Sequence, residues 1–124
     1  MYFLHVKVEG NGKIELYPTP YTEDNEKKLN FFYEKMGVSL IDIIAYDDKV
    51  DFIVDDEGLF VEHNPVFAIN SPLYSEPIHV VGEFMVGKKH RTDDGGVETI
   101  GFKDVSEMKE LLKGIELRFV GYVN

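Results

Sequence analysis

Turn chemistry recurs so often along this chain that long helices have little room to form. Gly10-Asn11-Gly12, Asp47-Asp48-Lys49, Asp55-Asp56-Glu57-Gly58 and Asp93-Asp94-Gly95-Gly96 separate short runs rich in β-branched and aromatic residues. From Tyr2 to Val8, the residues Tyr2, Leu4, Val6 and Val8 fall on one side at period two, the spacing of a strand with one buried face. The Asn-Gly that follows supplies the positive φ of a tight turn, which predicts a returning strand from Lys13 to Tyr17. Pro18 and Pro20 are expected to break it.

Two stretches carry helical spacing. Thr22 to Asp24 offer an N-cap with acids in the first turn, and Leu29, Phe32, Tyr33 and Met36 recur at i, i+3, i+4 and i+7 before Gly37, a natural residue to close a helix. Asp104 and Glu107 make a capping-box-like start for a second helix, with Val105, Met108, Leu111 and Leu112 as its apolar stripe and Gly114 at its end. Between the two, Val38 to Tyr46 and Val50 to Val54 read as a hairpin, and Leu59 to Val61 as a short strand. Asn64 reads as the N-cap of a short helical turn that begins at Pro65 and runs through Ile69. Ile78 to Val86 reads as one strong strand, with Val97 to Phe102 and Ile115 to Val123 completing the set. This order predicts a single α+β domain over residues 1–124: a largely antiparallel sheet, two main helices and one short helical turn.

A chain of 124 residues with 44% hydrophobic residues can bury a core without staples. It has no cysteine, which excludes disulfides, thiol nucleophiles and cysteine-held metals and agrees with a reducing, cytoplasmic setting. Its N-terminus reads as a strand and not as a signal peptide, and no apolar run approaches the roughly 20 residues that span a bilayer. The formal net charge of -10 argues against membrane association through anionic lipid and against direct nucleic-acid binding, both of which need cationic surface. The charge is regional: residues 23–62 hold 12 acids and 4 bases.

The middle of the chain has a familiar pattern. Gly37 and Ile41, then Asp51-Phe52-Ile53-Val54-Asp55-Asp56-Glu57-Gly58, then Asn64 with Ala68, and finally Val81-Gly82-Glu83-Phe84-Met85-Val86 resemble a family of small uncharacterised proteins, a domain of unknown function, from phages, plasmids and conjugative elements. That family shows an acidic-Glu-Gly turn after a strand, an Asn ahead of a short helical segment, and an Ile/Val-Gly-acid-apolar strand. Val81 stands here where Ile is more usual. The resemblance covers residues 37–86 and implies a mobile-element setting. It implies no reaction and no catalytic residue.

The conspicuous polar residues all have a structural explanation beside a chemical one. Asp47, Asp48, Asp51, Asp55 and Asp56, with Glu57, invite a hard-cation reading, but a strand over Val50 to Val54 would hold Asp48 and Asp55 roughly 23 Å apart at about 3.3 Å per residue. They are expected as an acidic surface, and no metal is assigned. His5 and His79 would form a two-histidine site with Glu83 if their strands paired. His63 and Asn64, with Glu57 and Gly58, are the candidate ligand-binding residues, because a His, an Asn and an acidic turn could converge beside a helix N-terminus. No phosphate loop is present. Lys88-Lys89-His90-Arg91 is the only basic cluster and is expected at a hairpin tip, neutralised by Asp93 and Asp94.

These residues predict a noncatalytic accessory protein that needs no cofactor and works through a protein partner or through self-association, with an acidic surface as one means. The alternative is a small-ligand-binding protein or an enzyme with a pocket at His63 and Asn64.

Overall fold

In the computed structural model, which describes residues 1–22 and 27–124, nine strands and two helices make two antiparallel sheets. Strand β1 (Tyr2–Val8) turns back as β2 (Ile14–Pro20). Helix α1 (Lys28–Met36) follows, then the hairpin β3 (Ile41–Ala45) and β4 (Val50–Asp55). A single 3-10 turn at Gly58–Phe60 leads to β5 (Pro65–Ile69) and β6 (Ile78–Val81). Strands β7 (Phe84–Arg91) and β8 (Val97–Ile100), helix α2 (Val105–Leu111) and β9 (Leu117–Tyr122) complete the chain.

The larger sheet has the order β2-β1-β7-β4-β3, and the smaller has the order β6-β5-β9. β7 is the hub of the larger sheet. Its first half pairs with β1 (Leu4 opposite Val86) on one side and with β4 (Phe52 opposite Val86) on the other, and its second half pairs with β8. Among the described residues, no helix is long and apolar enough to cross a membrane.

The period-two pattern sends alternate residues to two separate cores. On one face Leu4, Val6, Phe52, Val54, Phe84 and Val86 meet Phe67, Ile69 and Val80 of the smaller sheet and Met108 of α2. Phe84 joins the two sheets: its ring lies 5.3 Å from that of Phe52 and 5.2 Å from that of Phe67. On the opposite face Phe3, Ile53 and Met85 are covered by Phe32 and Met36 of α1 and by Tyr21. Phe3 and Phe32 pack edge to face at 4.9 Å.

Several expectations need correction. The prolines do not end β2. Pro18 lies opposite Leu4 and Pro20 opposite Tyr2. Two residues apart on an outer strand, both place their missing N–H away from β1, where proline is tolerated. Leu59 to Val61 is not a strand, and Pro65 to Ile69 is not a helical turn; the turn lies at the former and the strand at the latter. Asn-Pro was helix-start chemistry, but Val66, Phe67 and Ile69 suit the central strand of the small sheet better, and Pro65 occupies a strand's first position, which proline also accepts. The run Ile78 to Val86 is cut at Gly82, whose φ of 96° turns the chain out of one sheet and into the other. Leu29 faces solvent, and Phe31 packs in its place against the core under α1. Gly37 closes α1 as expected, its N–H donating to the Tyr33 carbonyl at 2.9 Å; of the N-cap expected over Thr22 to Asp24, Glu23 and Asp24 lie outside the described residues. Asp104 caps α2 by accepting from the Glu107 N–H.

Candidate functional site

The turn that follows β4 is built by residues that pin one another. The Asp55 carboxylate accepts from the Glu57 N–H at 2.9 Å, which starts the turn. Gly58 is buried against the end of β6: a Cβ there would lie 2.3 Å from the Val81 carbonyl oxygen, so no other residue fits without moving backbone. The Asn64 side-chain amide donates to the Gly58 carbonyl at 2.9 Å, and its other flank lies against Gly82. The His63 N–H donates to the Val123 carbonyl, and the Val123 N–H donates to the Asn64 carbonyl, each at 2.9 Å. Gly58, Asn64 and Gly82, far apart in sequence, thus meet in one buckle that ties the β4 end, β5, the β6–β7 corner and the C-terminus.

This geometry separates the predicted ligand-binding set. Gly58 and Asn64 are brought together, but the Asn64 amide is spent on backbone and caps no helix. His63 sits in the left-handed region at φ 64° with its side chain exposed, and Glu57 is exposed beside it. What the buckle does present is the segment between its two fixed points. Leu59, Phe60 and Val61 are 70%, 86% and 47% exposed, three consecutive apolar side chains held out on a 3-10 turn. Asp56, Glu57 and Glu62 flank them and are also exposed. Sequence reasoning took these apolar residues for a strand.

The predicted acidic surface is divided. Asp47 accepts from the Lys49 and Val50 N–H groups at 2.8 and 2.7 Å, an Asx turn at one end of the β3–β4 hairpin, with Asp48 exposed beside it. Asp55 and Asp56 lie at the other end. Asp51 is a correction: it is 2% exposed and faces α1, where it takes an ion pair from Lys89 and a hydrogen bond from the Thr99 hydroxyl at 2.8 Å. The Lys28 ammonium of α1 donates to the Thr99 carbonyl at 2.6 Å, closing the cluster.

Lys88 to Arg91 is likewise corrected from a hairpin tip to the second half of β7, with residues 92–96 forming the tip. Alternation sends Lys89 to Asp51 on one face and Lys88 to Glu107 of α2 on the other, at 2.6 Å. The Glu107 carboxyl is held below its usual range by the Lys103 N–H and by Lys88. Where β4 begins and β7 runs on past it, a notch of about 210 Å³ opens, lined by Asp48, Lys49, Lys88, Lys89, Arg91, Leu111 and the 55%-exposed Val97.

His5 and His79 do not pair. They belong to different sheets, with His79 opposite Ala68 and exposed. Glu83, the acid predicted beside them, does reach His5, with its carboxylate 3.8 Å from Nε2. His5 is 5% exposed and that nitrogen makes no hydrogen bond. Burial foremost, then the charges of Lys7 and Lys35, lower its pKa from 6.5 to about 4. Among the described residues no group of three His, Asp or Glu side chains is placed to hold a metal ion.

No family model, curated protein or solved structure matches the chain.

Proposed function

We propose that this chain is a noncatalytic accessory protein that works by protein–protein contact, with Leu59, Phe60 and Val61 as its anchor. The observation that carries the reading is the 86% exposure of Phe60 on a turn whose backbone is pinned on both sides by Gly58 and Asn64. Large apolar side chains grouped on a surface mark contact sites, and aromatic anchors that fill a pocket dominate interface energetics. A pinned turn also loses little freedom on binding, so more of the contact energy is realised as affinity. The flanking Asp56, Glu57 and Glu62 suit a partner surface with an apolar pocket rimmed by cations. The resemblance of residues 37–86 to small phage, plasmid and conjugative-element proteins supports a mobile element as the setting for that role.

The test is a paired capture from source-cell extract with the wild-type chain and with Phe60→Asp as baits. A protein retained by the wild type, lost from the variant and weakened by salt is the expected result. Identical retention on both baits would remove the anchor from the reading.

A further inference from the structure

The same chain carries the complement of its own anchor. The apolar turn with its acidic flank follows the C-terminal end of β4. The notch lined by Lys49, Lys88, Lys89 and Arg91, with Val97 and Leu111 as its apolar residues, lies beside the N-terminal end, where the β3–β4 turn meets the far half of β7. β4 has six residues, so the two features sit at opposite ends of the hairpin, roughly 20 Å apart along the strand direction. They cannot meet within one molecule.

Size and charge match. The notch holds about 210 Å³, below the roughly 300–1,000 Å³ of sites that enclose a drug-sized ligand, and suits one large side chain. Lys88 and Lys89 are already paired with Glu107 and Asp51. Lys49 and Arg91 make no ion pair among the described residues and are exposed, as are Asp56, Glu57 and Glu62 beside the anchor. Among the described residues, Asp48 is the one opposing charge that lines the notch.

We infer that a second copy of this chain is the occupant of the notch: Phe60 of one molecule seats on Val97 and Leu111 of the next, with Lys49 and Arg91 meeting the acids that flank it. The inference rests on the anchor reading above and names its partner. Because the donor and acceptor surfaces are different patches, the contact is head-to-tail, and each added copy leaves one free anchor and one free notch. The product is a chain of subunits, or a ring where the rotation closes. An excess of negative charge over the rest of the surface limits its growth, and added salt acts on that repulsion and on the contact itself in opposite directions.

Two variants isolate the two ends. Phe60→Asp removes the anchor and keeps the notch; the pair Lys49→Glu with Arg91→Glu reverses the notch and keeps the anchor. All three positions are exposed, and unchanged thermal melting will verify that both variants fold. In sedimentation velocity the wild type is expected to grow past a dimer as concentration rises. Each variant alone should associate about tenfold or more weakly and run as a monomer. Mixed in equal amounts, the two variants own one intact anchor and one intact notch, so they should form a dimer that does not grow. A wild type that stays monomeric at every concentration, an oligomer that survives in either variant, or a mixture with no dimer overturns the inference. The anchor reading fails separately: a monomeric wild type that still loses a captured protein on Phe60→Asp keeps the anchor and loses only self-assembly.

Discussion

The two faces of the larger sheet are closed in different ways. One is covered by a second sheet together with α2, and its core is apolar throughout, from Leu4 and Val6 to Phe67 and Met108. The other is covered by the nine residues of α1, and it holds the buried His5 and Asp51. Length explains the contrast. A nine-residue helix is roughly 14 Å long, enough to roof Phe3, Ile53 and Met85 but not a sheet of six strands. Polar side chains fill the two ends it leaves. Lys28 in the first turn of α1 reaches Thr99 near Asp51, and Lys35 in the last turn lies close enough to His5 to lower its pKa. The sheet-covered face is therefore closed by apolar packing, and the helix-covered face adds a buried histidine whose protonation is tied to folding.

The sharpest way to break that comparison is to cut one aromatic from each face. Phe84→Ala removes the ring that touches both Phe52 and Phe67 and is expected to cost about 3–5 kcal/mol, a large share of the roughly 5–15 kcal/mol that holds a domain folded. Phe32→Ala should fall at the low end of that range, because a short helix can settle toward the gap while a paired sheet cannot. Urea denaturation gives the two values, and hydrogen exchange gives their reach. Phe32→Ala should speed exchange in α1 and leave β4 and β7 protected. Equal loss of protection in both variants would show that the two faces are one cooperative unit.

The pH response is the next largest effect. His5 takes a proton at about 4 in the folded chain against 6.5 for an ordinary histidine, so the unfolded chain binds more protons between those values. Folding stability then falls as pH is lowered from about 6.5 toward 4, by about 3 kcal/mol in total at 1.36 kcal/mol per pH unit. Glu83 at 3.8 Å opposes part of this, and Lys7 and Lys35 reinforce it. His5→Leu should remove that slope, so the wild-type-minus-variant stability difference should fall by about 3 kcal/mol as pH is lowered across that window. At neutral pH it should cost nothing or stabilise, since it removes a buried nitrogen with no hydrogen-bond partner. Parallel stability curves for the two proteins from pH 7 to pH 4 would place the acid response elsewhere.

The two faces also differ in how far they could be read from sequence. Alternation in β1 and the stripe of α2 assigned the apolar face well, because period and capping are local signals. What failed was long-range. Pro18 and Pro20 broke a strand on paper, yet β2 runs through both since it lies at a sheet edge. Nothing near Gly82 shows that its two neighbouring strands belong to different sheets. Asp51 was counted with the surface acids because its partners, Lys89 and Thr99, are 38 and 48 residues away. At the anchor, Gly58, Asn64 and Gly82 were each noticed separately as turn, cap and strand residues. Their meeting at one point depends on the β5–β6 pairing, which no spacing rule encodes.

The smallest effect asks whether the Asp51 cluster stabilises the helix-covered face or only specifies it. Asp51→Asn keeps an acceptor for the Thr99 hydroxyl but removes the charge that Lys89 meets. Lys89 is about one-fifth exposed at its side chain, so its ammonium can turn outward along its aliphatic stem, and the expected cost is about 1–2 kcal/mol, below the 3–5 kcal/mol of a fully enclosed pair. Lys89→Met alone leaves Asp51 buried at 2% exposure with Thr99 as its remaining side-chain partner among the described residues, and should cost more than Asp51→Asn. Combining Asp51→Leu with Lys89→Met removes both charges, and the double variant should be more stable than the sum of its single changes predicts, because neither charge is left behind. A double-mutant cycle by urea denaturation measures that coupling. If the singles simply add, Asp51 and Lys89 hold no net pairing energy, and the polar end of the α1 face contributes solubility of its parts and not stability of the whole.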